Sequence, residues 1–109
     1  MDGRRRGNGG PPVEGALDTV RKRWKPSVVL ALAEGGLRFR ELHRRLPDGV
    51  SDKVLTEVLR EMESDGLLSR QVLPGRSKHV TYGLTPPGLK LVPILRALGE
   101  WSENGNGSN

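Results

Sequence analysis

The stretch from Ser51 to Gly66 constrains the fold of this chain most, because it predicts one amphipathic helix with both ends marked. Ser51 is a good N-cap, Asp52 suits the positive end of the helix dipole, and Gly66 stops the helix. The apolar face of this helix comprises Val54, Leu55, Val58, Leu59 and Met62. The opposite face comprises Lys53, Thr56, Glu57, Arg60 and Ser64. The cations of the helix therefore lie where an external partner could meet them.

A tight turn separates this helix from a basic one before it. Pro47 lacks a backbone donor and Asp48-Gly49 favours a turn, so the helix predicted for Phe39 to Leu46 cannot continue through them. The inward residues of that helix are Phe39, Leu42 and Leu46, and the outward residues are Arg38, Arg40, Arg44 and Arg45. Such arginines are typical of a solvated face, but their position beside the turn favours phosphate contacts for at least two of them.

Upstream, the apolar pattern predicts two more helices and a short strand. The first helix has one apolar stripe, formed by Val13, Ala16, Leu17, Val20 and Trp24. Pro26 suits the first position of the second helix, which continues from Ser27 to Ala33 and is apolar on nearly all sides. We expect this second helix to be central to the core, and Leu37 to Phe39 to form a brief strand.

Downstream, the sequence predicts a β-hairpin. Leu67 to Leu73 and His79 to Leu84 each have the pattern of a strand, and the connector between them contains proline, glycine and serine. Arg76 and Lys78 make the tip of the hairpin basic.

The last predicted helix is capped by Thr85, begins at Pro86, runs to about Trp101 and is bent or weakened by Pro93. Its apolar residues occupy more than one face of the helix. One face can pack on the domain, and the remaining apolar residues need a second packing partner to shield them from solvent. The first helix could cover all of it, but a partner subunit is favoured because a chain of this size buries only a modest core. The fold class is therefore mainly α with a small β-hairpin, in the order α-α-α-α-β-β-α.

Composition limits the possible domain organisation, binding partners and cellular location of the protein. Residues 1–10 and 103–109 are rich in small and polar residues and are predicted to be disordered tails, which leaves one domain at residues 11–102. The net charge of +5 allows a nucleic-acid partner, and the positive charge lies in two blocks, of which the first, residues 21–45, includes Lys25. No cysteine is present, which excludes disulfides and thiolate metal sites. No apolar run could span a bilayer and no signal peptide is recognisable, so we expect a cytoplasmic protein without a membrane partner.

Nothing in the sequence predicts catalysis or metal binding. His43 and His79 are isolated, without the partner spacing of a metal site. Glu61, Glu63 and Asp65 lie near one another on a helix flank, but they do not resemble an acid/base pair in a cleft. No Gly-rich phosphate loop follows a strand. We therefore expect no enzyme activity, no metal and no cofactor.

The helix after the turn and the basic hairpin together predict a DNA-binding surface. A helix fits the major groove, where its outward side chains meet base edges. Arg60 could pair with guanine, Thr56 with a thymine methyl group or a phosphate, and Glu57 could accept from cytosine or only orient Arg60. The basic hairpin tip could reach phosphate or the minor groove. The predicted DNA-contacting residues are Arg38, Arg40, Arg44, Ser51, Lys53, Thr56, Glu57, Arg60, Arg76 and Lys78.

The order helix, helix, turn, helix, β-hairpin, helix is that of a winged helix-turn-helix. Within it, the runs Leu46 to Thr56 (LPDGVSDKVLT), Leu59 to Arg70 (LREMESDGLLSR) and Val80 to Thr85 (VTYGLT) together resemble the HxlR family, relatives of the MarR-type regulators. The resemblance spans about Pro11 to Trp101 and implies a bacterial repressor or activator that binds operator DNA as a homodimer. It implies that the third and fourth helices form the helix-turn-helix and that the hairpin is the wing.

The resemblance also implies that the first and last helices build the dimer. The predicted interface residues are Val13, Leu17, Val20, Leu91, Ile94, Leu95, Leu98 and Trp101. Many family members carry a regulatory cysteine just before the first helix, in a Cys-Pro-Val/Ile-Glu pattern. Here Pro11 takes the place of that cysteine, so sensing through that thiol cannot operate.

Two alternatives stay open at this point. The domain could be a winged-helix protein-interaction module, although the basic charge on both the helix-turn-helix and the wing favours DNA. Trp24 and Trp101 could line a pocket for a small-molecule effector at the dimer interface, although core packing is the favoured role for both.

Overall fold

The computed structural model describes residues 13, 23–75 and 79–106. Its helices are α1 (Lys25–Ala31), α2 (Phe39–Arg45), α3 (Asp52–Ser64) and α4 (Pro86–Glu100). Its strands are β1 (Leu37–Arg38), β2 (Leu68–Leu73) and β3 (His79–Leu84), and a π-helical segment, Trp101–Asn106, follows α4. These elements follow one another in the order of a winged helix-turn-helix, as the sequence predicts.

The strands form one antiparallel sheet in the order β1-β3-β2, so the second strand of the hairpin is central. The end pairs of the hairpin are Leu68 with Leu84 and Leu73 with His79. On the other edge, Leu37 of β1 pairs with Tyr82 of β3. The predicted hairpin and brief strand are confirmed, and β2 begins one residue later than predicted. Because β1 leads directly into α2, the sheet holds the start of the helix-turn-helix.

Side-chain caps start α3 and α4 where the sequence places them. The Ser51 hydroxyl accepts from the Val54 N–H at 3.1 Å, and the Thr85 hydroxyl accepts from the Gly88 N–H at 3.2 Å. Gly66 follows α3 with a φ of 80°, a left-handed conformation that glycine adopts without a Cβ clash. Both predicted caps and the predicted stop are confirmed.

Two helices have different bounds from those predicted. Helix α1 covers Lys25–Ala31 instead of Ser27 to Ala33, because the chain turns into it at Trp24, whose φ of 77° is left-handed. Helix α2 ends one residue earlier than predicted. The reason is Leu46, which precedes Pro47 and is extended, with a ψ of 155°, so that it avoids the proline ring.

The core is built from all four helices and the start of β2. Its members are Val28, Val29, Leu32, Leu42, Leu46, Val50, Leu55, Val58, Leu59, Met62, Leu68, Val92 and Leu95. Val28 in α1 is fully buried, which confirms that this short apolar helix is central. Each such side chain contributes about 1.5–3 kcal/mol on burial. Because α3 buries the predicted apolar face, its opposite face is left to solvent.

Some predictions fall outside the described part of the chain. They concern the basic hairpin tip, residues 1–10 and 107–109, and the apolar stripe of the first helix apart from two of its residues. Of these two, Val13 is helical and exposed, whereas Trp24 lies in the turn before α1 with a left-handed φ and so does not continue the predicted first helix. In the predicted C-terminal tail, the backbone of residues 103–106 continues past Glu100 as part of the π-helical segment. Within the described residues, no helix is both long enough and apolar enough to cross a membrane.

Candidate nucleic-acid interface

The turn between α2 and α3 is held by a histidine. His43 of α2 donates from Nε2 to the Val50 carbonyl oxygen at 2.8 Å, since a carbonyl can only accept. The same nitrogen lies 3.7 Å from the Asp52 carboxylate, and the Phe39 ring stacks on His43 with centroids 6.4 Å apart. His43 therefore fixes the backbone just before α3. Its sequence position gives no sign of this role, because the contact arises only when the turn folds back.

Arg40 of α2 forms a two-point ion pair with Asp52, the first residue of α3. Nη1 donates to Oδ1 at 3.1 Å, and Nη2 donates to Oδ2. The hydrogen bonds from Arg40 hold the pKa of the Asp52 carboxyl below its ordinary value, and the positive charge of Arg40 adds to the effect. The guanidinium carbon also lies over the Phe39 ring, 5.4 Å from its centroid. Arg40, one of the predicted DNA contacts, thus already neutralises a carboxylate at the start of α3.

The outward face of α3 is exposed as predicted, and it carries Lys53, Thr56, Glu57 and Arg60. Lys53 and Arg60 are seven residues apart, so their backbone positions differ by about 10.5 Å along the helix axis and by little around it. The Thr56 hydroxyl donates to the Asp52 carbonyl oxygen at 2.8 Å. The structure records no ion pair between Glu57 and Arg60, both of which it describes. Glu57 is therefore not orienting Arg60 in this conformation.

The basic residues beside the turn are also exposed. The guanidinium groups of Arg38 and Arg44 form no ion pair with a described residue. The Arg38 N–H donates to Glu41 Oε1 at 2.9 Å, which satisfies a free donor at the start of α2. Arg76 and Lys78 of the predicted wing tip lie outside the described residues. The described basic surface around the turn therefore consists of Arg38 at the end of β1 and of side chains of α2 and α3.

Lys25 does not belong to this surface, although the sequence places it in the first block of positive charge. It is only 5% exposed, and its Nζ lies 3.0 Å from Glu61 and 3.3 Å from Asp65. Burial acts to lower the pKa of Lys25, but the hydrogen bonds with the two carboxylates outweigh it and the pKa is raised. Sequence patterns miss this contact because Asp65 lies 40 residues further along the chain.

The last helix presents an exposed apolar face of the kind that the predicted dimer needs. Ile94 is 58% exposed, Leu98 50% and Trp101 60%, although all three are large apolar side chains. Leu91, at the margin of this face, is half-buried against the core. Such a contiguous patch is typical of a protein contact.

Leu95, another predicted interface residue, lies in the core of the single chain. It is 7% exposed, because the turn of α4 carries it, with Val92, toward the domain. From the predicted first helix, Val13 is 67% exposed, and Leu17 and Val20 lie outside the described residues.

A groove of about 420 Å³ opens between α1, the α2–α3 turn and α4. Its lining residues are Ser27, Leu30, Ala31, Glu34, Arg45, Pro47 and Arg96. Neither tryptophan lines it. Trp24 is half-buried and packs against the core, and Trp101 is exposed. Trp24 therefore packs against the core, as expected for both tryptophans, whereas Trp101 does not.

The sequence matches a known family over most of its length. The profile of the HxlR-like helix-turn-helix family covers residues 19–108. A protein from Methanothermobacter thermautotrophicus, described as an uncharacterized HTH-type transcriptional regulator, is 43% identical over 91 residues. That alignment covers 84% of this chain and 69% of the relative.

Several solved structures are similar to this chain in both sequence and fold. A protein from Enterococcus faecalis V583, described as a transcriptional regulator of the MarR family, superposes with a TM-score of 0.79 and 40% identity, covering 88% of this chain and 86% of its own. The reduced form of the regulator YodB from Bacillus subtilis gives a TM-score of 0.78 and 32% identity, covering 88% and 93%. YodB has also been solved after diamide treatment. The predicted fold and the predicted resemblance are both confirmed.

Proposed function

The chain belongs to the HxlR-like helix-turn-helix family, and we propose that it is a sequence-specific regulator of transcription that binds double-stranded DNA as a homodimer. The observation that carries the proposal is the exposed face of α3, where Lys53, Thr56 and Arg60 follow a turn that His43 holds. A helix with this exposure fits the major groove. Relatives described as HTH-type transcriptional regulators support the same function.

In this proposal α3 reads base edges. Arg60 donates two hydrogen bonds to the O6 and N7 atoms of a guanine, and Glu57 accepts from the amino group of a cytosine. Thr56 meets a thymine methyl group rather than a phosphate. Its hydroxyl proton already goes to the Asp52 carbonyl oxygen, so donating that proton to a phosphate would break an existing hydrogen bond.

Other side chains hold the DNA backbone. We assign phosphate contacts to Arg38, Arg44, Ser51, Lys53, Arg76 and Lys78. Ser51 suits this role because its oxygen accepts from Val54 and its own proton stays free to donate at the N-terminus of α3. Arg40 uses two N–H groups on Asp52, so it reaches a phosphate only with its remaining donors.

A second copy of the chain covers the exposed face of α4. Ile94, Leu98 and Trp101 gain an apolar contact in this arrangement, and the dimer supplies the core that a small domain lacks. A two-fold dimer places two α3 helices in successive major grooves, about 34 Å apart. The operator then consists of two half-sites related by the same two-fold axis.

Any signal that controls this regulator acts without a cysteine. The sequence contains none, so the protein cannot form a disulfide or a thiol adduct. In this respect we distinguish it from YodB, which has been solved in a reduced and a diamide-treated form. The proposed function includes no catalytic step, and a regulator of transcription acts in the cytoplasm, where the chromosome lies.

The function is tested by selecting bound duplexes from a random-sequence library and from genomic fragments of the source organism. We expect a shared motif with two-fold symmetry, bound about 10³-fold or more tightly than a scrambled duplex, with affinity that falls steeply as salt rises. A control variant, Lys90→Ala on the exposed side of α4, should select the same motif. Failure of a folded protein to enrich any sequence would contradict the proposal and favour the protein-interaction alternative.

A further inference from the structure

Trp24 lies beside the turn that precedes α3, and the adjacent residue, Lys25, contacts the opposite end of that helix. The indole Cη2 lies beside Gly49 in the turn before α3, since a Cβ built on Gly49 would stand 3.8 Å from it. At the other end, Lys25 Nζ lies 3.0 Å from Glu61 and 3.3 Å from Asp65. Helix α3 has 13 residues and is therefore about 20 Å long. A single dipeptide thus spans nearly the whole helix.

The backbone of this dipeptide is held in an uncommon conformation. Among the described residues, Trp24 is the one non-glycine residue with a positive φ, at 77°. A residue with a large side chain keeps this conformation only where its surroundings enforce it. The Arg23 guanidinium lies over the Trp24 ring, 4.7 Å from the centroid. The ring is therefore fixed on the turn, and Lys25 is directed to the far end of α3.

Stability alone does not account for a lysine at this position. Burying an ammonium group is unfavourable, and replacing a buried ion pair by well-packed apolar residues is often neutral or stabilising. The surroundings of Lys25 are largely apolar, formed by Pro26, Val29, Met62, Leu67, Leu91 and Leu95. Apolar packing decides which face of α3 is buried, but it is non-directional. The ion pair adds a directional contact that fixes one end of the helix.

We propose that Lys25 is a positioning residue for DNA recognition: together with Trp24 it sets the tilt of α3 on the domain, so that operator discrimination depends on a residue that does not touch DNA. This inference rests on the proposed function. The two hydrogen bonds of Arg60 to a guanine require a geometry held within about 0.5 Å. Long side chains on phosphates adapt to a small tilt more easily. A loss of tilt control therefore lowers discrimination more than it lowers general DNA affinity.

The test replaces Lys25 and measures discrimination separately from stability. Lys25→Met keeps the apolar stem and removes the ammonium group. The carboxylates left without it, on Glu61 and Asp65, are 56% and 46% exposed and can be solvated by water, so the melting temperature should change little. The ratio of affinities for a selected duplex and a scrambled duplex should fall by about tenfold, while the salt slope stays unchanged. Asp65→Asn keeps the shape and an acceptor oxygen but removes the negative charge of one of the two partners, and it should lower the ratio in the same direction. The control Lys90→Met removes the same charge from an exposed site and should leave the ratio unchanged.

The outcomes separate this inference from the proposed function. If wild type discriminates and both Lys25→Met and Asp65→Asn discriminate equally well, the positioning role is overturned and the proposed function stands. If the variants lose affinity for both duplexes together with melting temperature, Lys25 is only structural and the inference is also overturned. If Lys25→Met does not fold, the affinity ratio of Asp65→Asn alone decides whether the positioning role stands. A wild-type protein that prefers no duplex would reject the proposed function itself.

Discussion

Gly88 lies so close to Leu67 that the start of α4 leaves no room there for a side chain. A Cβ on Gly88 would overlap the Leu67 carbonyl oxygen and stand 3.1 Å from the carbonyl carbon. The Thr85 N–H donates to the same oxygen at 3.1 Å, and the Thr85 hydroxyl donates to the Gly66 carbonyl at 2.6 Å. Helix α4, which carries the proposed dimer face, is thus docked on the junction between α3 and β2.

Replacing Gly88 should therefore destabilise the protein. Gly88→Ala forces the backbone of α4 away from Leu67, and we expect a loss of about 1–3 kcal/mol in the free energy of unfolding. Gly99→Ala is the matched control, since Gly99 lies in the same helix and a Cβ there would have no described atom within 4 Å apart from the nearby helix backbone. Alanine at this position should raise the free energy of unfolding by up to about 1 kcal/mol. Urea denaturation at a fixed protein concentration measures both. Equal effects of the two substitutions would contradict the close contact.

The features that could be predicted from the sequence are those that depend on residues close together in the chain. Ser51 and Thr85 cap their helices through a bond three residues away, and the helical period alone places the outward face of α3. Contacts between distant parts of the chain were missed. Lys25 counts as a surface charge until its partner 40 residues away is known. Periodicity also cannot decide that Leu95 faces its own core while Leu98 faces solvent, because α4 is apolar on more than one face.

The pair of Arg40 and Asp52 should make stability depend on pH. The pKa of Asp52 is lower in the folded protein than its ordinary value of 3.8, so folding favours the charged carboxylate. The contribution of the pair is therefore present above about pH 4 and is lost as the pH falls through the folded pKa. Asp52→Asn should lower the melting temperature slightly at pH 7, because the pair is exposed, and the difference from wild type should shrink in acid.

Circular dichroism melts between neutral and acid pH measure this difference. Asp48→Asn is a suitable control, because Asp48 is an exposed residue of the same turn and forms no ion pair with a described residue. It should melt in parallel with wild type at every pH. A constant difference between wild type and Asp52→Asn over the whole pH range would contradict the role of the ion pair.

The proposed dimer depends on the exposed face of α4. Wild type should be a dimer at micromolar concentration in sedimentation equilibrium, and Leu98→Asp should be a folded monomer, because burying an unpaired carboxylate costs several kcal/mol. Leu89 is nine residues earlier and so lies on the opposite side of α4, where it is 48% exposed. Leu89→Asp should therefore stay dimeric. A dimeric Leu98→Asp protein would show that the interface uses another surface.

Thiol reagents should not affect DNA binding by this protein. The chain contains no cysteine, so diamide has no thiol to oxidise, and doses that spare methionine should leave affinity unchanged. A gel-shift titration with diamide on a selected duplex measures the response. Release of the duplex would reveal a sensing route through another residue.

Arg60 and Arg76 should differ in how they contribute to binding. Arg60 lies on the exposed face of α3 and is assigned to a base, whereas Arg76 belongs to the predicted wing tip and is assigned to a phosphate. Losing a base contact costs about 1–3 kcal/mol and relaxes preference at one position of each half-site. Losing a phosphate contact weakens binding to every sequence alike and lowers the salt slope by about one unit.

Arg60→Ala should thus narrow the gap between a selected and a scrambled duplex, and Arg76→Ala should lower both affinities together. Fluorescence anisotropy on the two duplexes over a range of salt concentrations separates these effects. Lys90→Ala removes one positive charge from α4, away from the proposed interface, and corrects for the change in net charge. If Arg60→Ala weakens both duplexes equally and Arg76→Ala alone removes the preference, the wing reads the sequence and α3 holds the backbone, which is the reverse of the proposed arrangement.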